Sequence, residues 1–352
     1  MRSSSGEYYL SLDHVRALAA FLVFVWHFNH YQGGNEQSPL LFPLSILTEG
    51  HTGVSIFLTL SGFLFAKLLA GKSIVYRLFF YNRALRLLPL LIVMLALELM
   101  QSALDRSLSL KFFERIMRGL VYPTLPNGGW SITVEIHFYL FLPVLLAIFL
   151  RKRIFYAILI VLSLLIIRYV EYRSGGNIQS LAFFTIIGRF DQFILGILAF
   201  RYKDKIPPNK IFGFFATFSF LGYFYYFDLN GGYYGSPTNA PQAWMWIFQL
   251  TVEGLFYALL IAWYDKQIIP SNRISKFVSK IGQYSYSIYL LHFFVVFSFF
   301  PGFIDEEIVD ISNSYVKLIA GMIFFLLFLP IAWFSYSFIE KPFLKFRKSY
   351  KK

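Results

Sequence analysis

Residues 10–31, LSLDHVRALAAFLVFVWHFNHY, form an apolar stretch of membrane-spanning length that nevertheless carries charged and titratable side chains. A spanning helix needs about 20 apolar residues, and ionisable groups inside one are costly and usually functional. Arg16 and His27 are eleven positions apart, which at about 100° and 1.5 Å per residue places them on one helix face, roughly 16 Å apart. The stretch therefore predicts a membrane helix with a polar stripe.

Asp13 lies one helical turn from Arg16 in this stripe and can share its charge. The stripe then runs from a carboxylate to a guanidinium and on to an imidazole well inside the membrane. The alternative is structural, with Asp13 and Arg16 anchoring the helix end and His27 satisfied by its neighbours. We favour the functional interpretation and take Asp13, Arg16 and His27 as candidate catalytic residues.

The composition is that of a polytopic membrane protein. Of the 352 residues, 57% are hydrophobic and only 14% are charged, and the mean hydropathy is +0.58, far above that of a soluble domain. The chain has no cysteine, which excludes disulfides, thiolate metal ligands and thiol nucleophiles. The net charge of +13 follows membrane topology in its distribution, so we expect no nucleic-acid partner. We also expect no metal site.

Ten apolar runs of spanning length follow one another along the chain. If they alternate in direction, most of the 32 Lys and Arg residues fall on the side of both termini, and few, such as Arg168 and Arg173, fall on the other. The positive-inside rule assigns the richer side to the cytoplasm. We predict an all-α integral membrane protein of about ten transmembrane helices with both termini cytoplasmic, residues 1–345 forming one transmembrane domain and 346–352 a basic cytoplasmic tail. The runs are 10–31, 51–70, 86–104, 130–150, 154–171, 181–200, 211–228, 244–264, 283–300 and 315–338.

Glu135 lies near the outer end of its predicted helix, in the sequence GGWSITVEIHFYLFLP. Counted from the outer helix ends, Glu135 and His27 lie at similar depth, so we expect them to share a site. A carboxylate beside an imidazole raises its basicity and fixes its tautomer, as a general base acting on a hydroxyl requires. The alternative for Glu135 is an interfacial cap near a helix start.

Arg83 and Arg86 lie three residues apart at the predicted inner mouth of the third helix. Such a pair can bind phosphate groups bidentately from the cytosol. The alternative is that both arginines only satisfy the positive-inside rule.

Four further ionisable residues lie inside predicted spans: Arg189, Asp191, Glu253 and His292. Arg189 and Asp191 need partners within the bundle. For His292, helix packing is the favoured interpretation, and Ser61, which has no adjacent base, is also assigned to packing. We treat the four ionisable residues as candidates for pore lining or substrate contact.

Several local patterns occur in the same order as in the membrane-bound acyltransferase-3 family, the O-acyltransferases of bacterial envelope polysaccharides. The chain resembles this family from residue 12 to residue 343, although His14 replaces its usual Gly and Trp26 stands where a second His often occurs. The motifs are LDHVRALAA followed by WHF at Arg16 and His27, GVSIFLTLSGFL, RALR at Arg83 and Arg86, WSITVEIHFYLFLP at Glu135, YSYSIYLLH at His292, and SFIEKPF at Glu340.

The resemblance implies acyl-CoA, usually acetyl-CoA, as a cytoplasmic donor, with no bound cofactor, and a sugar hydroxyl on a lipid-linked or nascent glycan as acceptor. We therefore expect a multi-pass O-acetyltransferase of the cell (inner) membrane. Arg83 and Arg86 would bind the CoA phosphates. His27 would act as general base or carry the acetyl group, with Glu135 orienting it and Arg16, paired with Asp13, holding donor charge. No SGNH-type hydrolase domain follows the last helix, so we expect transfer to finish on the membrane domain.

A transporter or flippase of lipid-linked sugars is the alternative from a different functional class. It would use the same buried charges for substrate or proton relay without acyl chemistry. Inverted repeats with interrupted helices would favour it, and the sequence shows none.

Overall fold

A computed structural model describes residues 9–30, 41–119, 121–149, 154–234, 243–299 and 313–350. Within these ranges the chain is helical, with no β-strand. The α-helices are α1 Leu10–Asn29, α2 Ser45–Thr48, α3 Gly53–Leu69, α4 Tyr76–Leu104, α5 Leu110–Gly119, α6 Trp130–Phe149, α7 Ile154–Arg173, α8 Ile178–Phe184, α9 Ile186–Arg201, α10 Lys210–Leu229, α11 Gln249–Tyr264, α12 Arg273–Gln283, α13 Ser285–Phe293, α14 Ser314–Ser335 and α15 Lys341–Leu344.

Six helical segments in the described ranges are long and apolar enough to cross a membrane, and a seventh is added if α8 and α9 together form one span. These segments confirm a multi-pass, all-helical membrane fold. The six are Leu10–Asn29, Gly50–Leu69, Tyr76–Leu104, Trp130–Phe149, Ile154–Arg173 and Ser314–Leu344.

The predicted count of ten spans is not confirmed. The run 181–200 is broken, so that α8 and α9 meet at 45°. The run 244–264 begins with a 3-10 turn before the 16 residues of α11, and the run 283–300 contains the nine-residue α13 followed by a π-helical segment. Hydropathy alone does not reveal these breaks, because they depend on caps and tertiary contacts. The cytoplasmic location of both termini stays a prediction.

The break between α8 and α9 is built around Thr185, whose backbone is extended. Its hydroxyl accepts a hydrogen bond from the Gly188 N–H at 3.1 Å and donates to the Leu181 carbonyl at 2.7 Å. The Nε of Arg189 donates to the Phe183 carbonyl at 2.8 Å. Carbonyl groups at a helix end lack intrahelical partners and lipid supplies none, so these contacts make a broken helix tolerable inside the membrane.

Helices α3 and α9 pack closely through glycines. A Cβ atom on Gly62 would overlap the carbonyl oxygen of Phe193, and one on Gly196 would overlap the carbonyl oxygen of Thr59. The two backbones therefore approach more closely than any side chain at these positions permits, as small residues commonly allow in membrane helix pairs. This contact holds α3, which lines the candidate site, against the bent pair.

We expect Gly196→Ala to destabilise the protein, because the added methyl group meets a backbone oxygen that cannot move by itself. Overpacking of this kind costs about 1–3 kcal/mol, and the midpoint of thermal unfolding in detergent should fall. Gly222→Ala is the matched control, since a Cβ there meets nothing within 4 Å. Equal midpoints for the two variants would contradict the close packing of α3 and α9.

Candidate active site

A cavity of about 160 Å³ lies among α1, α3, α4, α6, α13 and the segment that follows α15. Four arginines and two carboxylates line it, so its charged lining favours an anionic ligand. The charged lining residues are Asp13, Arg16, Arg83, Arg86, Glu135 and Arg347.

Asp13 and Arg16 form the ion pair expected from their spacing. An amino nitrogen of the Arg16 guanidinium lies 2.6 Å from Oδ1 of Asp13, and Asp13 is only 1% exposed. The hydroxyl of Ser279 also donates to Oδ2 of Asp13 at 3.4 Å. The carboxylate is thus fixed between α1 and α12, and it orients Arg16 at the edge of the cavity.

Arg83 and Arg86 both line the cavity from the first half of α4. The Arg83 guanidinium lies over the rings of Phe65 and Phe79, with its central carbon 5.2 and 5.6 Å from their centroids. Stacking on two aromatic faces holds the planar group in one orientation. Arg83 and Arg86 can therefore both bind an anion inside the cavity.

Glu135 lines the same cavity and does not contact His27 in the part of the chain that the structure describes. Its Oε1 accepts hydrogen bonds from the hydroxyl of Tyr139, one turn along α6, and from the hydroxyl of Ser61 at 3.4 Å. Ser61, which the sequence assigns to packing, thus holds a carboxylate at the cavity wall. Similar depth in the membrane does not bring Glu135 to His27, because depth leaves the rotation of each helix undefined.

His27 contacts His292 instead. The Nδ1 of His292 lies 2.6 Å from the Tyr289 carbonyl, which can only accept, so this nitrogen carries the proton and Nε2 of the neutral ring is an acceptor. The Nδ1 of His27 lies 3.2 Å from that Nε2 and 2.9 Å from the Val23 carbonyl. Both neighbours are acceptors, so Nδ1 of His27 carries the proton. Its Nε2 is left as the basic nitrogen.

Tyr289 connects the cavity with this histidine pair. It lines the cavity, its ring centroid lies 5.8 Å from that of His292, and its hydroxyl donates to the Gly128 carbonyl at 3.2 Å. His292, expected to serve in packing, is therefore a direct neighbour of both the cavity wall and His27.

Aromatic rings pack around the end of α1 that carries His27. The ring centroid of Trp26 lies 4.3 Å from that of His27 and 4.9 Å from that of Tyr233. One turn later, the ring of His30 lies 4.3 Å from that of Tyr234, which is half exposed. Flat aromatic faces of this kind suit stacking against a ring-shaped ligand.

Arg189, Asp191 and Glu253 form a fully buried network and none of them lines the cavity. A terminal nitrogen of Arg189 donates to the Ser55 hydroxyl at 2.8 Å. The Ser55 hydroxyl in turn donates to the Glu253 carboxylate. Asp191 pairs with Arg168 at 2.9 Å. The sequence pattern counts Arg168 among the outer charges, whereas it is fully buried within α7. The predicted need of Arg189 and Asp191 for partners is thus met between α3, α7, α9 and α11.

Comparisons with known proteins find relatives along nearly the whole chain. A family model described as an acyltransferase domain matches residues 9–339. Two Staphylococcus aureus proteins named as O-acetyltransferases, from strains COL and N315, are each 27% identical to this chain and align with 96% of it and 58% of their own length. The peptidoglycan O-acetyltransferase OatA of Listeria monocytogenes is 24% identical over 97% of this chain and 56% of its own. The chain therefore spans little more than half the length of these relatives. No solved structure matches it.

We expect Arg168→Met to destabilise the bundle strongly, because it leaves the Asp191 carboxylate buried without its cation. Breaking a buried pair costs about 3–5 kcal/mol, which is measurable as a fall in the free energy of unfolding in detergent. Combining Arg168→Met with Asp191→Asn removes both charges and should recover much of the loss. A double variant as unstable as the single one would show that the pair is not coupled.

Proposed function

The chain belongs to the membrane-bound acyltransferase-3 family, and we propose that it transfers an acetyl group from acetyl-CoA to a hydroxyl of a cell-surface or lipid-linked glycan. One observation carries the proposal: Tyr289, which lines the arginine-rich cavity, lies beside the pair of His27 and His292, whose hydrogen-bond partners leave Nε2 of His27 as the basic nitrogen. The first feature suits a phosphorylated donor and the second suits a hydroxyl acceptor.

The donor is assigned to the cavity. CoA carries a diphosphate and a further phosphate, and guanidinium groups bind such oxygens bidentately. Arg83 and Arg86 would hold these phosphates, with Arg16 supplying further positive charge. The Glu135 carboxylate, fixed by Tyr139 and Ser61, would accept hydrogen bonds from the amide groups of the pantetheine arm.

His27 is assigned as the catalytic base. Its Nε2 takes the proton of the acceptor hydroxyl while the oxygen attacks the thioester carbonyl. The carbon–oxygen bond forms, the carbon–sulfur bond breaks, and the thiolate leaves with the proton from the imidazolium. In the second route Nε2 attacks the thioester first, so a carbon–nitrogen bond forms and the carbon–sulfur bond breaks with release of the CoA thiolate. The acceptor hydroxyl then attacks the acetyl-imidazole, the carbon–nitrogen bond breaks, and the hydroxyl proton passes to the thiolate. His292 keeps Nε2 available in both routes and is a positioning residue.

The acceptor is assigned to the aromatic side of His27. Tyr234, which is half exposed, and Tyr233 offer faces for a sugar ring, and the buried Trp26 ring contacts both Tyr233 and His27. The name of the Listeria relative, a peptidoglycan O-acetyltransferase, supports a glycan acceptor in the cell envelope and hence a location in the cytoplasmic membrane. A transporter without acyl chemistry is not favoured by family membership.

His27→Ala should abolish acetyl transfer to glycan, because a positioned base contributes about 10²–10⁴-fold. His292→Phe should lower kcat with little change in KM for acetyl-CoA, and His292→Gln, which keeps a hydrogen-bond acceptor, should restore part of the rate. The assay follows radiolabelled acetyl-CoA with purified protein and candidate glycans. His137→Ala is the matched histidine control, because His137 lies on α6 and does not line the cavity. Normal turnover in His27→Ala would remove His27 from the mechanism, and glycan movement without acetylation would favour the transporter.

Donor and acceptor should reach the site from opposite faces of the membrane. The rise from Arg16 to His27, roughly 16 Å, covers about half of a ~30 Å hydrocarbon core, so an extended thioester arm need not cross it fully. In sealed, oriented vesicles, acetyl-CoA should support transfer only from the Arg83 and Arg86 face, and acetylated glycan should appear on the other. Full activity with acetyl-CoA confined to the opposite face would contradict this arrangement.

A further inference from the structure

The segment after α15 is fixed to α4 by the side chain of Asn82. Its Nδ2 donates to the Lys348 carbonyl at 2.6 Å, and its Oδ1 accepts from the Lys348 N–H at 3.0 Å. Asn82 is fully buried, so the two hydrogen bonds form in a site with little water. An amide that satisfies both backbone groups of one residue fixes the position of that residue.

Tyr350 makes a second attachment two residues later. It is 1% exposed, and its ring lies edge-on to Phe79 with centroids 5.5 Å apart. Its carbonyl accepts from the Val75 N–H at 2.9 Å. The chain is therefore held against the beginning of α4 at two points. Residues 351 and 352 of the predicted tail lie outside the described residues.

These attachments bring Arg347 to the cavity. It precedes Lys348 directly and lines the cavity together with Arg83 and Arg86. Burial and the positive charges of Arg86 and Arg83 lower the pKa of Arg347 to about 9, so the guanidinium is still protonated at neutral pH. The buried Glu340 carboxylate interacts electrostatically with Arg86 and Arg347 and offsets part of this positive charge. The cavity lining itself has four arginines against two carboxylates, a balance that favours an anionic ligand.

We propose that Arg347, Arg83 and Arg86 form one phosphate subsite, and that the segment after α15 is thereby part of the donor-binding site. This inference rests on the proposed function for the identity of the ligand, a CoA thioester. The phosphate involved is either the 3′-phosphate or the diphosphate of CoA, since a guanidinium recognises both in the same way.

The test measures binding of CoA, dephospho-CoA and pantetheine to the purified full chain by calorimetry. Arg347→Gln should weaken CoA binding about tenfold or more, the loss expected for one charge-assisted hydrogen bond. Lys345→Gln is the matched control, because it removes the same charge from an exposed position two residues earlier. Unchanged affinity for CoA in Arg347→Gln would overturn the proposal.

Dephospho-CoA distinguishes the two phosphate sources. If Arg347 binds the 3′-phosphate, the wild-type preference for CoA over dephospho-CoA should disappear in Arg347→Gln. If it binds the diphosphate, both ligands should weaken equally while pantetheine is unaffected. Either result supports the subsite, and weakened pantetheine binding to the same degree would instead indicate a general disturbance of the cavity and overturn it.

Asn82→Ala supplies a second variant that keeps every arginine. If the attachment of the segment positions Arg347, this change should also weaken CoA binding, and adding Arg347→Gln to it should have little further effect. Thermal unfolding of each variant verifies that it is folded. Absence of CoA binding by the wild type would refute the proposed donor, whereas wild-type binding matched by Arg347→Gln would refute this inference alone.

Discussion

The fold depends on how the polar groups at the break between α8 and α9 are satisfied inside the protein. A carbonyl group in lipid has no water to accept from, so the bend requires internal donors. Arg189 donates to the Phe183 carbonyl, and Arg168 donates to the Gly188 carbonyl at 2.6 Å. Each arginine in turn needs a carboxylate or an oxygen acceptor nearby, and Asp191 and Ser55 supply these. The buried charges that resemble a substrate path in the sequence thus stabilise the bend against which α3 packs.

The bundle contains two kinds of charged residue, those buried around the bend between α8 and α9 and those that line the cavity. The side chains of Arg168, Arg189 and Asp191 are fully buried and form hydrogen bonds with other groups of the protein. The arginines of the cavity, in contrast, face a space that a ligand can occupy. Charges of the first kind maintain the architecture, and charges of the second kind define the site.

The sequence predicts well the contacts between residues of the same helix, because these depend only on helical spacing. Asp13 and Arg16 pair because their spacing along α1 places them one turn apart, and Arg83 and Arg86 share the cavity for the same reason. The partner of His27 is different, because it depends on how α1 and α13 are rotated toward each other. Helical periodicity carries no information about that rotation.

Residues beyond the motifs are the hardest to predict. Arg168 lies near the end of a very apolar helix and resembles an outer charge until its partner on α9 is known. Arg347 lies in a short basic segment after the final helices, where composition indicates a solvated tail. Its place at the cavity follows from Asn82, a single amide more than 250 residues earlier whose role no local pattern encodes.

The hydrogen bond from Val75 to Tyr350 also constrains the topology of the whole chain. Two residues outside the spans that touch each other lie on the same face of the bilayer, so the chain between them must cross it an even number of times. If α8 and α9 make one crossing, the long spans that the structure describes in this interval are α4, α6, α7, the bent pair and α14, which is an odd number. Within the described residues, at least one of the helices α10, α11 or α13 must then traverse the membrane as well, although each is shorter or less apolar than the long spans.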